Sequence, residues 1–281
     1  MKKTIQKIVA KSIGSYINLL SYISPKQSLS LAYKFFSEPR KGKIKQERIP
    51  RTLQKSTRQI HKLRGQEFST YLWEGNNEVI LLVHGWESNA SRWKKLLPYL
   101  KKTGKTILAI DAPAHGFNMD KEFNVLIYSE FINEIVQKYQ PKIAIGHSIG
   151  GNALAYFQKH YSHQLEKMIL LGAPSDFKII MENYFKMLSL NLKVQEQFKN
   201  YIQSRFKIVI EDFSAAKFLE ETTISGIIAH DQEDLVVLLN EGYKIDSAWK
   251  TAKFIETKGL GHSMHDADLY QTIVDFIETK I

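Results

Sequence analysis

Six short runs of nearly unbroken apolar residues constrain this chain more than any other feature: 79–84 (VILLVH), 106–111 (TILAID), 142–146 (KIAIG), 167–171 (KMILL), 224–229 (ISGIIA) and 252–256 (AKFIE). Strands of five or six residues that are hydrophobic on both faces must be covered on both faces, as in a parallel sheet flanked by helices. Amphipathic helical stretches at 90–101, 123–139, 150–161 and 267–280 lie among them, giving the alternation of βαβ units joined by right-handed crossovers. An earlier run, 66–73, reads as a hairpin strand before Gly75 and Asn76. The expected class is α/β, with a mostly parallel central sheet flanked by helices. At 281 residues, 43% hydrophobic and 24% charged, the chain has the apolar surface for such a core and is neither low-complexity nor wholly disordered.

Two segments fall outside this alternation. One is an insertion at about 176–222, too long for an ordinary crossover, in which Phe177, Met181, Tyr184, Phe185, Phe198 and Ile202 recur at helical spacing. It predicts a small helical cap over the C-terminal edge of the sheet, where open α/β sheets bind ligands. Met181 and Phe185, with Phe117 and His147, are the candidate substrate-binding side chains; packing of the cap against itself is the competing use of its apolar residues.

The other segment is an N-terminal arm, 1–65, ahead of a body spanning 66–281. Ile5, Ile8, Val9, Ile13, Tyr16, Ile17, Leu20 and Ile23 recur at helical spacing, with Lys3, Lys7, Lys11 and Asn18 opposite, so an amphipathic helix is expected, closed by Pro25. Lys7 and Lys11 interrupt the apolar region and no small-residue cleavage site follows, which makes a poor secretory signal. Two uses stand open for residues 1–24: docking on the protein's own body, or lying on an anionic membrane. The stretch 38–64 is polar and basic, and reads as an exposed connector with a short helix after Pro50.

Charge follows the same division. The formal net charge is +10, yet residues 1–64 hold sixteen Lys and Arg against Glu38 and Glu47, leaving the remainder with 23 basic and 27 acidic residues. A mildly acidic body offers no basic stripe for phosphates, so nucleic acid is not an expected partner. No apolar run is long enough and free enough of charge to cross a bilayer. With no cysteine there is neither a disulfide framework nor a thiolate nucleophile, which is compatible with a cytoplasmic location, membrane-peripheral if the arm binds lipid.

The sharpest chemical signal is Gly146-His147-Ser148-Ile149-Gly150, placed where an apolar strand gives way to a helix. This is G-x-S-x-G in a strand–turn–helix setting, which makes Ser148 the nucleophile candidate; a serine capping a helix after a glycine turn is the bland alternative. A hydroxyl is a weak nucleophile and needs a base oriented by a carboxylate. After the strand at 224–229 come Asp231 and Asp234; after the strand at 252–256 comes His262 in Gly259-Leu260-Gly261-His262. His262 is the base candidate and His265 its nearest rival, whereas His160 and His163 read as solvated loop histidines. The developing oxyanion needs two backbone N–H donors, which Ile149 and, after the turn at Gly85, Trp86 would supply. Trp86 as a core aromatic would not conflict, since the donor is backbone.

These residues resemble the α/β-hydrolase family of serine esterases, lipases and related enzymes, from about Gln66 to the C-terminus. The resemblance rests on the H-G-W turn at 84–86 followed by Trp93, the D-A-P-A-H-G loop at 111–116, the nucleophile elbow, the H-D-x-x-D-x-x-V segment at 230–237 and G-L-G-H at 259–262. It implies an α/β-hydrolase fold and a catalytic Ser148, Asp234 and His262, the acid being the residue three before Val237, with Asp111 shaping a loop. Leu238 stands where the family often has proline. Phe36-Ser37-Glu38-Pro39-Arg40 is similar to the lead-in of some uncharacterised bacterial members. The implied activity is hydrolysis of a modest apolar acyl ester through an acyl-enzyme, a small-molecule acyl substrate and no metal or organic cofactor. Thioester, peptide or carbon–carbon cleavage would use the same constellation, and a catalytically silent membrane-peripheral or partner-binding protein on this scaffold is the reading from another class.

Overall fold

The computed structural model describes residues 2–279. Met1, Lys280 and Ile281 lie outside the described residues, as do the side chains of residues 2–4 and Gln6; the Lys3 side chain and the last residue of the helix expected at 267–280 are among these. The strands are β1 (Thr57–Leu63), β2 (Gln66–Trp73), β3 (Asn76–Val83), β4 (Lys105–Ile110), β5 (Ile143–His147), β6 (Lys167–Leu171), β7 (Ser225–Asp231) and β8 (Ala252–Thr257). The helices are α1 (Lys2–Ile23), α2 (Pro25–Ser37), α3 (Arg51–Gln54), α4 (Leu97–Leu100), α5 (Val125–Tyr139), α6 (Ile149–His160), α7 (Phe177–Leu188), α8 (Leu192–Phe206), α9 (Ala215–Leu219), α10 (Leu239–Ala248) and α11 (Ala267–Glu278).

Two compact units divide the described chain: residues 39–175 with 215–279, and residues 2–38 with 176–214. In the larger unit the eight strands form one sheet in the order β1-β2-β4-β3-β5-β6-β7-β8, parallel from β4 to β8 and antiparallel at β1 and β2. Register explains why the apolar runs form these strands. Ala109, Leu82, Ile145, Ile169 and Ile227 pair in one row across five strands and share one buried cluster with Trp93, Leu97 and Ile273. The alternate residues, such as Leu81, Ala144, Met168 and Ile228, point to the opposite face and are equally buried. At about 1.5–3 kcal/mol per large aliphatic side chain buried, such rows dominate the stability of the sheet.

Three expectations are corrected. The stretch 38–64 is not simply a connector: a short α3 does follow Pro50, but Thr57–Leu63 is a sheet strand, and β2 makes its hairpin with β1 rather than with β3. The turn lies at Arg64 and Gly65, both at positive φ (51° and 79°), the twist a two-residue hairpin demands. The helix expected at 90–101 is a 3-10 segment at Ala90–Lys95 followed by α4, broken where Pro98 removes a donor. Pro25 closes α1 but also opens α2 at its first position, where its missing N–H costs nothing.

In the smaller unit, α1 and α2 pack on the insertion helices α7 and α8. Ile17 is fully buried, Phe36 meets Tyr184 and Phe198 edge-on at 5.1 and 5.2 Å, and the Tyr184 hydroxyl donates to the Ala32 carbonyl at 2.6 Å. The Asn18 side chain donates to Ser189 O (2.9 Å) and accepts from Asn191 N (2.8 Å). The arm is thus no body of its own: its helices complete the core of the insertion.

Candidate active site

The residues singled out for chemistry in the sheet unit lie at or after the C-terminal ends of parallel strands. β5 ends in His147, and Ser148 then takes φ 54°, ψ −130°, a conformation that costs a non-glycine residue about 1–3 kcal/mol. Neighbours hold it there. Ser148 N donates to Leu171 O (2.9 Å), while Ser148 O accepts from Gly151 N (2.8 Å). A Cβ at Gly146 would lie 2.6 Å from Gly151 Cα, and one at Gly150 would lie 2.4 Å from the Val83 and His84 carbonyl oxygens. Only glycine lets this turn press against β3.

The loop after β8 brings His262 to Ser148, with the Ser148 hydroxyl donating to His262 Nε2 at 3.0 Å. His262 Nδ1–H donates to Asp234 Oδ2 at 2.8 Å, which fixes the tautomer with a basic nitrogen facing the serine. Asp234 is buried; burial raises its pKa, but the His262 hydrogen bond and the amides of Val237 and Val236, donating to Oδ1 at 3.0 and 2.8 Å, outweigh it and hold the carboxyl below its ordinary value. His230 closes this loop, its Nε2 donating to Val237 O at 2.9 Å.

Asp231, the other carboxylate considered, does not reach the imidazole. Its oxygens accept from Leu260 N, Gly261 N and Glu233 N at 2.9–3.0 Å and from Thr257 Oγ1 at 2.8 Å. It anchors the turn that carries His262. Two further groups hold the same loop: His147 Nε2 donates to His262 O (2.7 Å), and Arg92 Nη2 donates to Ser263 O (2.8 Å). Burial, with the Arg92 charge nearby, drives the His147 pKa well down, so the ring is neutral and its Nε2–H is the donor. His265, the rival base, bonds to the Tyr270 hydroxyl instead (2.5 Å).

The first amide of α6 belongs to Ile149, one of those a helix leaves without an internal partner. Trp86 follows Gly85, at which a Cβ would sit 2.8 Å from Ser148 Cβ and 2.9 Å from His147 O, so glycine lets this turn lie against the serine. Two histidines lock it from below. His84 Nε2 accepts from Ala112 N (3.0 Å) while its Nδ1–H donates to Gly85 O (2.8 Å); His115 Nε2 accepts from Glu87 N (3.0 Å) while Nδ1–H donates to Pro113 O (2.8 Å). Asp111, whose pKa burial pushes up to about 6, accepts from Ala90 N and the Tyr71 hydroxyl and shapes the same loop. The roles of His84 and His115 were visible only as motif letters, and nothing in the sequence marked Arg92.

The substrate-lining expectation is corrected for three side chains. Met181 and Phe185 are buried in the core of their own helical unit, beside Phe198 and Ile202. Phe117 packs on the sheet unit's core beneath the Arg58 guanidinium, 3.9 Å from its ring centre. His147 is at the site but faces the His262 loop. Among the described residues no group of three or more His, Cys, Asp or Glu side chains is arranged to hold a metal ion.

Known proteins agree with this architecture. A "Serine hydrolase-like protein" of Danio rerio is 24% identical over 193 residues, covering 66% of this chain and 57% of that one. "Polyneuridine aldehyde esterase" of Rauvolfia serpentina is 27% identical over 132 residues, covering 43% and 50%. The chain thus spans about half the length of these curated relatives. They are an animal and a plant protein and do not bear on the bacterial lead-in expected at 36–40. Among solved structures, a bromoperoxidase from Bacillus anthracis shares the fold with TM-score 0.62 at 15% identity, over 79% of this chain and 100% of that one. Residues 78–223 match the family model for the alpha/beta hydrolase fold, and the chain belongs to that family.

Proposed function

We propose that this protein is a serine hydrolase, a carboxylic ester hydrolase acting on a modest apolar acyl ester. The observation that carries the reading is the continuous hydrogen-bonded chain Ser148–His262–Asp234, 3.0 and 2.8 Å per link, built on a serine held at positive φ. The Ser148 oxygen attacks the acyl carbonyl as its proton passes to His262 Nε2; the imidazolium is stabilised by the Asp234 carboxylate. The amides of Trp86 and Ile149 receive the charge on the tetrahedral oxygen. His262 then protonates the departing alkoxide, and a water deprotonated by the same nitrogen releases the acyl group from the serine. Within this chemistry, the similarity to the polyneuridine aldehyde esterase of Rauvolfia serpentina supports ester cleavage.

A fluorophosphonate probe tests the reading. Folded wild type is labelled one to one, Ser148→Ala is not, and Ser263→Ala remains labelled, because the Ser263 hydroxyl is exposed and bonded to Leu260 O. An unlabelled, folded wild type would overturn it. Turnover of p-nitrophenyl esters of increasing chain length then measures acyl preference, with rates falling about 10⁴-fold or more in Ser148→Ala.

A further inference from the structure

The helical unit carries a surface that its own packing leaves bare. α1 meets α7 and α8 through one face: Ile17 is fully buried, Asn18 bonds to Ser189 and Asn191, and Gly14 lies so close to α7 that a Cβ there would fall 1.6 Å from Leu188 O. On the adjoining arc of the same helix stand Ile5, Ile8, Val9, Tyr16, Leu19 and Ile23, each between 52% and 74% exposed. Scattered exposed apolar residues are ordinary, but six aligned on one helix are not. The apolar strip continues into an open groove between α1 and α2 lined by Tyr16, Leu20 and Leu31, with Lys34 at its rim.

Charge selects the occupant. Residues 1–37 contain six lysines and no aspartate or glutamate, and Lys7, Lys11, Lys26 and Lys34 are exposed. A second copy of this chain would bring two wholly cationic segments together, which like-charge repulsion opposes. A polyanion without an apolar phase would match the lysines and leave the row of isoleucines in water. A bilayer with anionic headgroups satisfies both at once. No helix among the described residues is long and apolar enough to cross a membrane, so the geometry has α1 lying in the plane of the interface.

We infer that the exposed arc of α1 docks on an anionic membrane surface, Ile5, Ile8, Val9, Leu19 and Ile23 entering the boundary between headgroups and acyl chains while the lysines meet the headgroup charge. This is independent of the hydrolase reading, and its test uses binding alone. The full chain is sedimented with phosphatidylcholine vesicles with and without phosphatidylglycerol. Wild type is expected to partition at least about tenfold more strongly onto the anionic vesicles, with the preference weakening as salt is raised to about 1 M. The double variant Ile8→Glu/Leu19→Glu is expected to lose about tenfold or more of this binding with its melting temperature unchanged, because both side chains are solvent-facing. Lys7→Glu/Lys11→Glu is expected to erase the preference for anionic lipid. Folded wild type that stays in the supernatant, or a double variant that sediments like wild type, overturns the proposal. So does a concentration-dependent dimer, dissolved by Ile8→Glu/Leu19→Glu and formed without vesicle binding, which assigns the face to a second copy.

Discussion

Asp231 closes β7 and Asp234 stands three residues on in the loop that follows, and their surroundings separate their roles. Asp234 touches the imidazole; Asp231 accepts from three backbone amides and the Thr257 hydroxyl. Asp234→Asn keeps an oxygen for the Val236 and Val237 amides but offers an NH₂ to His262, so kcat is expected to fall about 10³- to 10⁴-fold with little loss of melting temperature. Asp231→Asn leaves buried donors unpaired and is expected to cost about 2–3 kcal/mol of stability with a smaller effect on kcat. Paired melting curves and ester kinetics check this, and the reverse pattern would give the acid's role to Asp231. His147→Phe preserves ring volume but removes the donor to His262 O; kcat is expected to drop about tenfold at unchanged KM, because the loop's position and not substrate binding is altered.

Elements differ in how plainly they announce themselves. β3 to β7 read directly from their apolar runs because both faces are covered. β1 did not: its sequence TRQIHKL buries only His61 and carries Arg58 and Lys62, the charged habit of an edge strand, so its identity depends on pairing with β2. α2 was hidden because Pro25 signals both the end of one helix and the start of the next. The close approach of α1 to α7 needs glycine at position 14. Gly14→Val would drive a side chain into the Leu188 carbonyl, and the overpacking is expected to cost about 1–3 kcal/mol or more. Hydrogen exchange reads it: amides of α1 lose protection while those of β3 and β5 keep theirs.

Across the whole molecule, the buried histidines set the response to acid. Burial lowers the pKa of His61, His115 and His265 to about 4 and those of His84 and His147 well below 6.5; nearby cations, Lys138 for His61 and Arg92, Lys95 and Lys94 for His265, lower them further. The unfolded chain takes up protons near pH 6.5 that the native state refuses, so these groups contribute full stability above that pH and lose it as pH falls toward 4. Asp111 works in the opposite sense between its ordinary 3.8 and about 6, one group against six once His163, which burial also lowers, is included. Asp231 and Asp234, held below 3.8, add their loss only at lower pH. The melting temperature is therefore expected to fall by about 5 °C or more between pH 7.5 and pH 5, measured by calorimetry at constant ionic strength.

What the amino-acid order alone determined was the alternation of covered strands and helices and the short motifs at strand ends, because hydrophobic period and glycine-dependent turns act over a few neighbouring residues. That Asp234 is the carboxylate on His262 was implied by the motif and is realised across 28 residues of chain. What His147 and Arg92 hold, and that Met181 and Phe185 are core while Ile8 and Leu19 are surface, were decided only when segments more than a hundred residues apart packed together. Burial and hydrogen-bond partnership are properties of that packing, and no local pattern encodes them.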